Sequence, residues 1–222
     1  MIIDCISDLH GDYPILKGGD LLIVAGDLTG KDGIAEYYDF ICWLMDSKAA
    51  YKKKVVIAGN HDVRIQNEDW KNDCRNFTFT YLEDSGINFD GLNIWGSPWT
   101  WAFPGINPGC TAFTVANEDD LKAKWDLIPE NTDILVTHCP PFGYGDYVSR
   151  SGRTGSTSLT RRVAHLPRLK LHVFGHIHEG YGVWDFRILK EMPGGTAGPI
   201  FVNAAHMDRN YDPKNKPLRI EL

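Results

Sequence analysis

Five short apolar runs, each broken off by a cluster of Gly, Asp, Asn or His, constrain the fold of this chain more than any other feature. Residues 1–6 lead into Ser7-Asp8-Leu9-His10-Gly11, and residues 21–25 into Gly26-Asp27-Leu28-Thr29-Gly30. Residues 55–58 lead into Gly59-Asn60-His61-Asp62, residues 134–137 into His138-Cys139-Pro140-Pro141, and residues 171–174 into Gly175-His176-Ile177-His178. The runs are rich in β-branched or aromatic residues and hardly alternate, which predicts strands buried on both faces. Helical spacing appears between them. Residues 32–48 carry Ile34, Tyr37, Tyr38, Ile41, Leu44 and Met45 at that period, residues 118–128 carry Leu121, Trp125 and Ile128, and residues 157–166 form a shorter third candidate. Residues 77–98, 181–189, 198–203 and 218–222 read as further strands. Residues 96–111 and 140–158 read as excursion loops. No repeat, low-complexity tract or linker divides the chain, so the expectation is one mixed α/β domain over residues 1–222, with two sheets or one large bent sheet.

Bulk properties narrow the function classes. The chain is 43% hydrophobic and 23% charged, an ordinary globular balance. The net charge of -6 gives no global pull toward nucleic acid, and no dedicated nucleic-acid-binding domain is visible. Arg150, Arg153, Arg161 and Arg162 could form a local basic patch, though a solvated loop and helix face is the plainer reading. Cys5, Cys42, Cys74, Cys110 and Cys139 are odd in number, widely spaced and without a CxxC, so neither a disulfide framework nor a thiolate zinc site is expected, and Cys5 reads as a small core residue. No signal peptide is visible, and no run approaches the about 18 apolar residues of a membrane span. The expectation is a cytoplasmic protein with no membrane contact.

The polar clusters fall where chemistry is expected. In an open α/β sheet, ligands bind beyond the carboxyl ends of the strands, and five such ends can share one crevice. Five of the eight histidines lie in these clusters, whereas His165, His172 and His206 stand outside them and read as ordinary core or surface residues. His206 follows a strand-like run, which leaves it a peripheral role. Asp8/His10 and His176/His178 are each two apart, a spacing that puts both members on one face of an extended backbone. Asp27 could bridge two cations, and Asn60 offers a neutral carbonyl oxygen. A ligand set of O and N without thiolate suits Mn, Fe or Zn. Two such ions sharing a hydroxide would attack phosphorus in line and steady the charge that develops on the phosphoryl oxygens. His61, beside Asn60, is placed to hand a proton to the leaving oxygen.

The ordered series Asp8-Leu9-His10, Gly26-Asp27, Gly59-Asn60-His61-Asp62, Thr137-His138 and Gly175-His176-Ile177-His178 resembles the calcineurin-like metallophosphoesterase superfamily. Gly26-Asp27-Leu28-Thr29-Gly30, Gly96-Ser97-Pro98-Trp99, Pro140-Pro141 and His176-Ile177-His178-Glu179-Gly180-Tyr181-Gly182 resemble its metallophosphoesterase-domain-containing branch. The resemblance implies a four-layer α/β/β/α sandwich of two mixed sheets flanked by helices. It implies two divalent ions, Mn foremost with Fe, Zn or Ni as alternatives. Asp8, His10, Asp27 and His178 would hold one, and Asp27, Asn60, His138 and His176 the other, with His61 as proton donor. One position departs from the pattern: the acidic residue that in many relatives orients the catalytic histidine is here Gly30, which leaves Asp32 or Asp62 to replace it or the backbone alone to orient His61.

Substrate contacts are open to reading. Trp99, Trp101 and Phe103 could overhang the site and stack on a base, or close an apolar cap over a sheet edge. Tyr144, Tyr147 and the arginines around Arg150 could meet a second phosphate. The branch resemblance implies hydrolysis of small phosphodiesters, cyclic nucleotides among them. The alternatives are a phosphomonoesterase or protein phosphatase, suggested by Ser7-Asp8-Leu9-His10-Gly11-Asp12 but lacking the acidic-Arg-Gly pattern after Asp27, and a scaffold of the same fold, which would ordinarily have lost site residues.

Overall fold

A computed structural model describes residues 1–45, 50–67, 79–102, 109–188 and 197–222. Each apolar run is a strand, and the strands fall into two principal sheets. The first contains β1 (Ile2–Ile6), β2 (Gly19–Ala25), β3 (Tyr51–Ile57), β4 (Thr80–Tyr81) and β15 (Leu218–Glu221), in the order β15-β1-β2-β3-β4. The second contains β5 (Ser85–Phe89), β6 (Leu92–Ser97), β9 (Ile134–Thr137), β12 (Leu171–Phe174), β13 (Gly182–Asp185) and β14 (Ile200–Asn203), in the order β13-β14-β12-β9-β6-β5. Both are mixed. β1 to β4 run parallel with β15 antiparallel at one edge, and β14, β12, β9 and β6 run parallel between antiparallel β13 and β5.

Strand alternation distributes the core into three layers. On β2, Leu21, Ile23 and Ala25 face one way and Leu22 and Val24 the other. The first set joins Ile3, Val55 and Ile57 against Ile134, Val136, Leu171, Val173, Ile200 and Val202, an apolar layer closed between the two sheets. The second set packs under helix α1 (Ile34–Met45) through Tyr37, Phe40 and Leu44. On the far side, Leu135, Phe174 and Phe201 pack under helices α3 (Glu118–Trp125) and α4 (Thr157–Ala164) through Leu121, Trp125, Leu159 and Val163. The layers therefore run α/β/β/α. Both faces of β9, β12 and β14 are buried, which is why these runs show no polar alternation. Cys5 is a fully buried member of the inter-sheet layer.

The boundaries mostly follow the pattern. Asn117 and Ser156 each accept a bond from a backbone N–H in the first turn of α3 and α4, and these caps fix the two starts. Periodicity over 118–128 and 157–166 overran both helices by a few residues, because Ile128 and Leu166 are buried in the loops that follow. The short helix α2 (Val63–Asn67) carries no periodic signal of its own. The first excursion loop carries β7 (Thr100–Trp101), which pairs with β8 (Thr114–Val115) just beyond the loop, and the second holds a ribbon of β10 (Tyr147–Val148) and β11 (Gly152–Arg153). Phe103 and Cys74 lie outside the described residues, and Cys5, Cys42, Cys110 and Cys139 are free thiols. Among the described residues no helix is long and apolar enough to cross a membrane.

His172 sits wholly buried on β12, its Nε2 2.9 Å from Thr137 Oγ1. Burial pushes its pKa from the ordinary 6.5 down to about 3. The unfolded chain therefore takes up a proton that the folded chain refuses. The stability this withholds is fully present above the unfolded value and is lost as pH falls, at up to about 1.4 kcal/mol per pH unit. Replacing His172→Gln should flatten the loss of stability between roughly pH 6 and 4 in urea denaturation. A slope equal to the wild type's would assign the acid sensitivity elsewhere.

Candidate metal centre

The carboxyl ends of the parallel strands of both sheets meet. Ser7 N donates to Ala204 O (2.9 Å) and His206 N to Ser7 O (2.8 Å), which stitches the end of β1 to the end of β14. His176 N, just past β12, donates to both oxygens of Asp8 (3.0 and 2.9 Å). Asp8, Asp27 and Asn60 therefore arrive from the first sheet and His138 and His176 from the second. The route differs from the extended one that the i, i+2 spacing suggests. Asp8, His10, Asp27 and His176 have φ of 52°, 46°, 52° and 68°, so the chain turns left-handed at each of them, and His178 opens a 3₁₀ turn (His178–Gly180). Four strained non-glycine residues at one point are the signature of a functional site. Gly175 permits the closest approach: a Cβ there would lie 2.1 Å from both Asp8 Oδ2 and Ser7 Oγ.

Three groups of donors result: Asp8, His10 and His178; His10, Asp27 and His61; and Asp27, His138 and His176, the ligand atoms of each lying within 4.8 Å of one another. Asp27 Oδ2 is 3.4 Å from His138 Nε2, 3.7 Å from His10 Nε2 and 3.9 Å from His61 Nε2. His178 Nε2 is 3.4 Å from Asp8 Oδ1 and 3.3 Å from His10 Nε2, and Asn60 Oδ1 is 3.0 Å from His138 Nε2. Outer contacts aim the rings. His138 Nδ1 lies 2.9 Å from Ala25 O and His178 Nδ1 3.1 Å from Asp208 O; an N–H donated there leaves each Nε2 lone pair facing inward.

Charge supplies a test of whether these residues suit a cation. Asp8 and Asp27 are buried carboxylates, and among the described residues their ion-pair partners are histidines alone. Burial opposes the carboxylate charge, yet His178 holds Asp8 down to about 2, and His138 and His61 hold Asp27 well below the ordinary range. Burial likewise opposes a proton on His138, but Asp27 raises it to about 9. His10 and His176 are pushed by burial to about 4 and about 3, and so face the carboxylates as neutral bases. Two buried carboxylates ringed by imidazole nitrogens and an amide oxygen, with no thiolate among the described residues, fit hard or borderline divalent ions, which on binding would displace the proton that Asp27 favours on His138.

The remaining expected residues separate. Asp62 does not touch the His61 ring. It accepts from the backbone N–H groups of Leu28, Thr29 and Gly59 and from Thr29 Oγ1, and so fixes the two turns that present Asp27 and Asn60. Asp32 is engaged by Tyr37 Oη and Arg64 N. Neither replaces the acidic residue missing at position 30. That position tolerates no side chain, since a Cβ on Gly30 would lie 2.7 Å from His10 O. Cys110 makes the contact instead, its Sγ 3.4 Å from His61 Nδ1. Burial, then Asp27, raises its pKa, so it stays a thiol, whose sulfur can accept the Nδ1–H of the imidazolium form of His61 while the Nε2–H faces the cavity. Cys110→Ala should lower kcat several-fold with KM little changed, while Cys110→Ser, which keeps an acceptor facing Nδ1, should retain most of it. Equal losses in the two variants would reduce Cys110 to packing.

Trp99 and Tyr144 do not line the site. Trp99 Nε1 donates to Asp84 Oδ2 (2.8 Å), and its ring packs edge-on to Phe113 beneath Lys124 Nζ. Tyr144 stacks on Phe201 at 4.2 Å. Both rings went to the layer beside the second sheet, because an aromatic next to an apolar strand face gains more from burial there than at a wet rim. Trp101 packs on the same layer. His206 sits at the edge, its Nε2 3.0 Å from Asp12 Oδ1. The arginine cluster disperses: Arg153 pairs with Asp146, Arg162 bonds Ile128 O, and Arg150 alone reaches the cavity. That cavity, about 460 Å³, is lined by Asp27, Asn60, His61, Cys110, His176 and His178, with Arg150, Arg209 and Tyr211 among the residues around them. Cys110, Arg209 and Tyr211 were missed from sequence. Tyr211 stands edge-on to His10 and His178, with centroids 5.1 and 4.8 Å away. The turn-forming stretch 208–213 after β14 was the available signal for Arg209 and Tyr211; Cys110 carried none.

Facing sheets that deliver carboxylates, imidazoles and an amide to one buried point, at the ends of parallel strands, form the frame of a metal-dependent hydrolase. Comparison with known proteins supplies the reaction. A family model for calcineurin-like phosphoesterases matches residues 1–180. Human metallophosphoesterase domain-containing protein 1 is 36% identical over 244 aligned residues, covering 98% of this chain and 70% of the human protein. A 3',5'-cyclic-nucleotide phosphodiesterase of Nostoc is 26% identical over 73% of this chain and 57% of its own length. One solved structure superimposes with a TM-score of 0.64 at 13% identity, over 99% of this chain and 98% of the other, which supports the fold. The chain belongs to the calcineurin-like phosphoesterase family, whose chemistry is metal-dependent hydrolysis of phosphoric esters. Within it, the chain falls with the metallophosphoesterase-domain-containing branch.

Proposed function

We propose that this protein is a phosphodiesterase acting on small phosphodiesters through a centre of two divalent ions. The observation that carries the reading is the sharing of Asp27 between donor groups on either side of it. Asp8, His10, Asp27 and His178 would hold one ion, and Asp27, Asn60, His138 and His176 the other, with Mn the leading candidate. When bound, the ions would supply a nucleophile at neutral pH and neutralise charge on the phosphoryl group. The chain's own residues do the rest. Asp62 holds the two turns in register, Ala25 O and Asp208 O aim the rings of His138 and His178, and His61 holds a proton on Nε2 at the cavity wall for the departing oxygen. The cyclic-nucleotide activity named for the Nostoc relative favours a diester over a phosphoprotein. Assay of bis-p-nitrophenyl phosphate, cyclic nucleotides and phosphomonoesters after loading with Mn tests this. Turnover of diesters over monoesters is expected, and turnover of monoesters alone would reject it.

A further inference from the structure

Two guanidinium groups stand at the cavity with no carboxylate at ion-pair distance among the described residues, and the way the neighbouring charges pair off explains why. In the β10–β11 ribbon, Arg153 is taken by Asp146 (2.7 Å), leaving Arg150 at the turn. In the stretch after β14, Asp208 and Asp212 are both taken by Lys214 (2.7 and 2.8 Å), leaving Arg209 between them. Arg168, Arg187 and Arg219 elsewhere are paired with Asp133, Asp185 and Asp4. Among the described residues Arg150 and Arg209 make no comparable ion pair, both line the same cavity as Asp27, Asn60 and His178, and both are exposed. The acid between them is Glu179. It bonds Ser149 N and Oγ, and each arginine acts on it at longer range to lower its pKa. Arg150 and Arg209 thus present two guanidinium groups to the cavity beside the candidate metal centre, and Tyr211 lines the same opening.

We propose that Arg150 and Arg209 form an anion subsite, so that the preferred substrate carries a second anionic group, a phosphate or a carboxylate, beyond the ester that is cut. Arginine suits this task because its planar fork meets such a group through two parallel hydrogen bonds. The subsite rests on the phosphodiester reading for its role in turnover but not for binding. It discriminates among diesters by KM, since the contacts lie away from the reacting phosphorus.

The test separates the two readings. Binding of thymidine 3′,5′-bisphosphate and of thymidine 5′-monophosphate to the metal-loaded protein is measured by calorimetry, for wild type and for the Arg150→Ala/Arg209→Ala double variant. The wild type should bind the bisphosphate at least about ten-fold more tightly, and the double variant should bind the two alike. Equal affinities in the wild type, or an advantage that survives in the double variant, would overturn the subsite. Thymidine 5′-(4-nitrophenyl phosphate), with and without a 3′-phosphate, reports turnover in parallel. Failure to release nitrophenol from either compound would count against the diesterase reading alone, and the binding result would stand.

Discussion

Asp27→Ala should abolish turnover, lowering kcat/KM on bis-p-nitrophenyl phosphate by at least about 10³-fold, a loss of roughly 4 kcal/mol of transition-state stabilisation. Three features make this the largest single-residue effect expected. Asp27 Oδ2 faces three imidazoles, so its removal takes a ligand from both candidate ion positions at once. Asp27 Oδ1 also accepts from His61 N (2.9 Å), so the proton donor loses its backbone anchor. And His138, raised to about 9 by Asp27, would lose the charge that sets its ionisation. Metal content after purification should fall in step, whereas the fold should survive, because Asp27 lies just past the end of β2 and belongs to none of the three apolar layers. A folded Asp27→Ala protein that kept its metal and more than a tenth of its activity would remove the bridge from the mechanism. If the biological role persisted with catalysis gone, the scaffold reading would replace the enzyme.

The second large effect belongs to His61, and its size should depend on the substrate. A nitrophenolate leaves without a proton, but an alkoxide must be protonated as the bond breaks. His61→Asn should therefore cost about 10²–10⁴-fold in kcat on an alkyl diester and far less on a nitrophenyl diester, within the range of a positioned general acid. The ring's setting supports that division of labour: Nδ1 faces the Cys110 thiol, and Nε2 is 3.9 Å from Asp27 Oδ2 at the cavity wall. Equal losses on both esters would show that His61 contributes binding or structure rather than a proton.

The candidate site was more legible than the surface around it. Asp8, Asp27, Asn60, His138 and His176 stand where burial on both strand faces ends, and a strand end leaves a written trace: an apolar run stopped by glycine and a polar residue. The sheets were legible for the same reason, since alternation is lost only when both faces are covered. What the sequence concealed depended on pairing between distant segments. Trp99 and Tyr144 look like substrate platforms until Asp84 and Phe201 are known to be adjacent. Arg150 and Arg153 read alike until Asp146 claims one of them. Cys110 meets His61 across 49 positions, and no local pattern encodes such a contact. The spacing of Asp8 and His10 suggested an extended backbone facing one side, whereas the two lie in one donor group through a backbone that is left-handed at both.

The stitching of β1 to β14 carries a thermodynamic consequence. Ligand candidates come from both sheets, so an ion seated among them clasps one layer of the sandwich to the other, and mass action ties its occupancy to the melting of the whole. Each hundred-fold excess of free ion over its dissociation constant adds about 2.7 kcal/mol to the folded state. A chelator should therefore act on this protein as a denaturant does, by loosening two sheets whose shared apolar layer remains intact beneath the vacated clasp.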